Sequence, residues 1–138
     1  CNAVRVTMIK LYLVMLAAFL AVDLVWLGVV ARAFYRRHLG FLLAPAPNWA
    51  AAIVFYLIFV AGLLVFAVAP GLRDGSLRVT LLHAAFYGFV TYATYDLTNH
   101  ATVNGWPAVV TLVDMAWGTV LSLVVGLAGF WAGQALAR

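Results

Sequence analysis

The chain has 138 residues, of which 67% are hydrophobic and only 9% charged, with a mean hydropathy of +1.09. A soluble domain is roughly half apolar and about a quarter charged, and a chain this short leaves much of its surface exposed. These numbers exclude a soluble enzyme, a disordered segment and a nucleic-acid-binding module. The net charge of +4 comes from eight Lys+Arg against four acids, all Asp. With charge so sparse, the excess bears on membrane orientation and not on a phosphate-binding face. The single cysteine, Cys1, provides neither a disulfide framework nor a Cys-based metal site, and no metal or cofactor is expected.

Met8-Ile9-Lys10 reads as a natural start, which makes residues 1–7 a non-native or disordered leader. A spanning helix needs about 20 largely apolar residues, and the first such run covers about 11–31 with one charge, Asp23. Ala31-Arg32-Ala33 has the outline of a signal-peptidase site, but a signal core is only about 7–15 residues long, so an uncleaved helix is expected. The loop that follows mixes Arg32, Arg36, Arg37 and His38 with Phe34, Tyr35, Leu39, Phe41, Leu42 and Leu43. It reads as an interfacial segment whose arginines rest on lipid phosphates or hold an anionic head group. A second run, about 49–69, carries no charge. Pro70-Gly71 through Gly75 then marks a connection. The third run, about 78–98, is laced with hydroxyls and ends in Asp96. Asn104-Gly105-Trp106-Pro107 is the next connection, and Pro107 suits a first helical turn. The fourth run, about 107–131, contains only Asp114.

The expected fold is therefore all-α: a single domain, 1–138, built as a bundle of four transmembrane helices. Arg5, Lys10, Arg73, Arg78 and Arg138 outnumber Arg32, Arg36 and Arg37 on the opposite face, which favours an inside N-terminus.

Four spans place the first and third loops on one membrane face, whichever way the chain is oriented. Asp23 and Asp114 then lie roughly 10–12 Å below that face, and Asp96 lies near the same end. Tyr92, Asn99, His100, Trp26 and Trp117 belong to the same half. A carboxyl inside a membrane costs about 2.5–3.5 kcal/mol on insertion scales and marks a functional candidate by default. Two carboxyls level with each other at low dielectric share one proton and titrate as a pair. Thr111, Asp114, Gly118, Ser122 and Gly126 recur at steps of three and four, forming a stripe that lets another helix approach closely. On that stripe Asp114 is either part of a site or a hydrogen-bonding link to its neighbour. Thr80, His83, Tyr87, Thr91, Thr94 and Thr98 make a second, hydroxyl-lined face, for which back-bonding to the helix is the expected role. Asp96 and His100 are spaced to meet at i, i+4. Val22-Asp23-Leu24-Val25-Trp26 is echoed, on a helix running the other way, by Val113-Asp114-Met115-Ala116-Trp117.

Asp23-Leu24-Val25-Trp26-Leu27-Gly28, the stretch Tyr92-Ala93-Thr94-Tyr95-Asp96-Leu97-Thr98-Asn99 and Asp114-Met115-Ala116-Trp117-Gly118 together resemble the bacterial membrane-protein family labelled domain of unknown function 2177. The resemblance runs from Met8 to about Trp131. It implies a small multi-pass protein of the bacterial inner membrane and carries no catalytic assignment.

Three functional readings follow, in order. The first is a membrane-embedded pocket that binds or modifies a lipid or other apolar small molecule. Asp23 and Asp114 would be its core, Asp96 and His100 would sit at its mouth, and Trp26 and Trp117 would line it. The second is an accessory or structural subunit of a larger membrane complex. The third is a small proton-coupled transporter acting as a homodimer. The partners expected are the bilayer itself and such a ligand, with no nucleic acid.

Overall fold

A computed structural model of the chain describes residues 2–138; Cys1 lies outside the described residues. Helix α1 (Asn2–Val25) runs on through a five-residue π-helical stretch, Trp26–Val30, and is followed by the short α2 (Arg32–Leu39). Helix α3 (Trp49–Leu63) continues through a second π-helical stretch, Leu64–Val68, into α4 (Ala69–Asp74). The chain ends with α5 (Leu77–Thr102) and α6 (Ala108–Leu136). The fold is an all-α membrane bundle, as the composition requires. Three runs, Asn2–Val30, Trp49–Asp74 and Ala108–Leu136, are long and apolar enough to cross a membrane. Helix α5 has 26 residues and thus the length, but its hydroxyls, His83 and Asp96 keep it out of that set.

Pro70 does not end a helix as its sequence context suggests. Proline has no N–H to give the carbonyl four residues before it, here that of Phe66. His83 Nδ1 from α5 lies 3.0 Å from that carbonyl and supplies a donor instead. The π-helical stretch just before Pro70 absorbs the misfit, since such stretches accommodate a break in the i→i−4 ladder. The chain reverses only at Gly75, whose φ of 60° suits glycine. The Ser76 side chain then caps α5 by accepting from the Val79 amide at 3.3 Å.

Helices α5 and α6 share the longest seam, and α1 packs on the other side of α6. Helix α3 touches α1, while α5 meets that column chiefly through the second π-helical stretch and α4. Leu11, Met15, Phe19, Phe59, Val60, Leu63, Leu121 and Val125 fill the centre. The outer faces carry Ile58, Phe86 and Leu112 at 66%, 69% and 70% exposure. Water would not tolerate so much bare apolar surface, whereas acyl chains solvate it.

Candidate functional site

The small-residue stripe of α6 faces α5. Thr111, Asp114, Gly118, Ser122 and Gly126 are all buried. The approach needs glycine at two points: a Cβ on Gly88 would stand 2.2 Å from the Gly118 carbonyl oxygen, and one on Gly118 would stand 2.2 Å from the Tyr92 ring. This closeness brings two acids together. Asp96 is fully buried, with the Asp114 carboxyl as its acidic neighbour. Neither Asp96 oxygen meets an N–H or O–H donor. An ionised carboxylate only accepts hydrogen bonds, so two carboxyls bond each other only when one carries a proton.

Asp23 and Asp114 are joined indirectly, through the tryptophans of their echoed motifs. Trp117 Nε1 donates to Asp23 at 3.3 Å. The Trp117 ring stacks on Trp26 with centroids 4.2 Å apart and planes 6° from parallel. Trp26 Nε1 donates to the Tyr35 hydroxyl at 3.2 Å, and that hydroxyl donates to Asp114 Oδ1. Asp23 and Asp114 are thus the two ends of one chain of contacts that runs through Trp117, Trp26 and Tyr35. Burial, reinforced by the neighbouring Asp114, raises the Tyr35 phenol above its ordinary value.

Helix α2 tucks against the bundle. Its Leu39 joins Trp106 and Val110 in a second small core, with Phe34, Tyr35 and Val103 packed on it. Its Arg32, Arg36 and Arg37 remain exposed. Trp106 Nε1 donates to the Thr111 hydroxyl at 3.0 Å, and that hydroxyl lies 3.3 Å from His100 Nδ1. His100 therefore meets Thr111 and makes no hydrogen bond with Asp96, whose oxygens have no such donor. Its exposure, and the half-burial of Asn99, put both at the rim. His38 lies tilted against Phe34, with ring centroids 4.6 Å apart and planes 53° from parallel, so His38 and His100 serve different contacts.

The polar face of α5 divides into two halves. Towards the α4 end, Thr80 donates to the Ala67 carbonyl at 3.1 Å and Tyr87 to the Phe59 carbonyl at 3.0 Å. Towards the other end, Thr91, Thr94 and Thr98 donate back to carbonyls of their own helix. The first half clamps α5 to the α3 column and the second half leaves it unclamped.

A cavity of about 310 Å³ opens where that clamp ends, lined by Phe55 and Phe59 of α3, Thr91, Tyr92 and Tyr95 of α5, and Asp114 of α6. A second cavity, about 340 Å³, shares Tyr95 and Asp114 with the first, and its walls include Tyr35, Arg32 and Arg36. Trp26 and Trp117 line neither; they border a separate apolar hollow with Val22 and Val25. Asp23 lines neither cavity, and its hydrogen-bond donor among the described residues is Trp117. Phe55 and Phe59 escaped the sequence reading because α3 is apolar on every side, so no periodicity selects a face. Tyr35 also escaped, although its i, i+4 spacing from Leu39, set against Arg32 and Arg36, describes an amphipathic helix with an inward edge.

Residues 8–131 match the family described as "Predicted membrane protein (DUF2177)". No curated protein and no solved structure matches the chain. The matched span contains Asp23, Asp96 and Asp114 together with the aromatic residues that bind them to one another, and the chain belongs to this family of membrane proteins, domain of unknown function 2177.

Proposed function

We propose that the protein crosses the bacterial inner membrane four times and binds a lipid or other apolar small molecule in the crevice between α3 and α5. The observation that carries this reading is the 310 Å³ cavity, walled by Phe55, Phe59 and Tyr92 with Asp114 as its only acid. Ligand sites have this character, mostly apolar with a few polar groups that fix orientation. Helix α5 is the fourth span on this reading. Its hydroxyls and His83 are satisfied by carbonyls of the bundle or of the helix itself, which removes much of the cost of immersing them. Its Leu82, Phe86, Phe89 and Val90 face outward.

Mass spectrometry of gently solubilised protein tests the proposal. A lipid or apolar metabolite should co-purify, and Asp114→Asn or the space-filling Thr91→Phe should release it while the helical circular dichroism is kept. A protein that emerges empty, or variants that retain the ligand fully, would overturn it. A second reading, a structural subunit whose acids only link helices, is favoured by the bond from Trp117 to Asp23 inside the chain. It expects Asp23→Asn, which keeps an acceptor, to be silent. Asp23→Leu should loosen the fold and the recovery of a partner chain together.

A further inference from the structure

The two cavities that meet at Asp114 and Tyr95 differ in character. The crevice between α3 and α5 offers aromatic rings. The neighbouring cavity adds Arg32 and Arg36, two cations against the one acid, Asp114. That acid already accepts from Tyr35 and lies beside the Asp96 carboxyl. The arginines are four residues apart on α2 and so share a face. Arg37, one residue on, points about 100° away around the helix and is not among the lining residues. The helix that carries the pair is also fixed in place. Helix α2 is held by the Tyr35–Asp114 bond and by Leu39 against Trp106 and Val110, so the backbone positions of the arginines are set beside the crevice. Guanidinium groups match the planar, bidentate geometry of phosphate and carboxylate oxygens.

We infer that the occupant is an anionic amphiphile, its charged head group held by Arg32 and Arg36 and its acyl chain lying past Tyr95 in the crevice between α3 and α5. The inference rests on the crevice reading above and adds the class of ligand. It also separates these two arginines from a general surface anchor, in which all three cations of α2 would touch bulk lipid phosphates alike.

The test uses the full chain in detergent, titrated with phosphatidylglycerol, with phosphatidylcholine of identical acyl chains, and with inorganic phosphate, and read by native mass spectrometry. One phosphatidylglycerol per chain should be retained at about a tenfold lower concentration than phosphatidylcholine, the equivalent of about 1.4 kcal/mol. The double variant Arg32→Gln/Arg36→Gln should bind both lipids equally and weakly, Arg32→Lys/Arg36→Lys should fall between, and Arg37→Gln should keep the full preference. Inorganic phosphate should not displace the lipid. Equal binding of both lipids by the unaltered protein, with both lost on Thr91→Phe, would overturn the anionic head group and leave the crevice standing. Loss of preference in Arg37→Gln equal to that of the double variant would show a surface anchor. Displacement by phosphate would show an anion site with no role for the chain. Retention of neither lipid would overturn the crevice reading along with this one.

Discussion

The hydroxyl of Tyr35 donates to the carboxyl of Asp114, 79 residues later in the chain, and so ties the short helix after the first span to the closing helix of the bundle. The same oxygen accepts from Trp26, so one phenol serves three helices. Tyr35→Phe removes both bonds and leaves the Trp26 N–H and an Asp114 oxygen without partners. Stranding a buried polar group costs about 1–3 kcal/mol, although intramembrane hydrogen bonds average nearer 0.6 kcal/mol. A loss of about 1 kcal/mol is expected, read as a drop of several degrees in the thermal midpoint followed by tryptophan fluorescence. Release of α2 should also speed tryptic cleavage at Arg36 and Arg37. An unchanged cleavage rate would show that Leu39 and Trp106 hold the helix without help.

The phenol also predicts a pH dependence. Burial first, and then Asp114, raise Tyr35 above the ordinary tyrosine value of 10.0, so the folded state keeps a proton that the unfolded chain gives up. The stability this contributes is complete below about pH 10 and declines as the pH climbs beyond it. The difference in midpoint between the wild-type chain and Tyr35→Phe should stay constant from about pH 7 to pH 9 and narrow above about pH 10. A difference that widens at high pH would contradict this assignment.

Glycines separate sharply by position. A methyl group at Gly88 would collide with the Gly118 backbone, which cannot step aside as a side-chain tip does. Gly88→Ala should force α5 from α6 and cost about 1–3 kcal/mol, disturbing the Asp96–Asp114 pair as it does so. At Gly28 nothing lies within 4 Å of the added carbon. Gly28→Ala should be neutral or stabilising by up to about 1 kcal/mol, through the higher helix propensity of alanine. Midpoints of denaturation in sodium dodecyl sulfate titrations would rank the two; similar midpoints would refute the tight seam.

Apolar length made the three most hydrophobic spans legible, and the spacing of small residues made the buried face of α6 legible down to Gly126. Both are properties of one helix at a time. What the sequence concealed depends on two helices at once. The i, i+4 spacing of Asp96 and His100 is real, yet the fold directs His100 to Thr111 because Trp106 and the α5–α6 turn bring that hydroxyl under it. Pro70-Gly71 has the composition of a turn, yet a histidine seventeen residues after Phe66 supplies the donor that proline lacks. The first loop has the composition of a surface anchor, and only the opposing face made by Trp106 and Val110 draws Tyr35 and Leu39 inward.

Asp96 is the least explained acid in the bundle, fully buried with no donor at either oxygen. The Asp114 carboxyl is its acidic neighbour, and a bond between two carboxyls requires that they share a proton. An asparagine at this position would bring its own N–H to Asp114 and make that proton unnecessary. Asp96→Asn is therefore expected to match or exceed the wild-type thermal midpoint. Asp96→Ala leaves a void and takes away Asp114's neighbour, so it should lose about 1–3 kcal/mol. Infrared difference spectroscopy distinguishes the two states directly. The wild-type chain should show the C=O stretch of a protonated carboxylic acid that is missing in Asp96→Asn. Absence of that band in the wild-type chain would mean that both acids are ionised and held apart by something other than a shared proton.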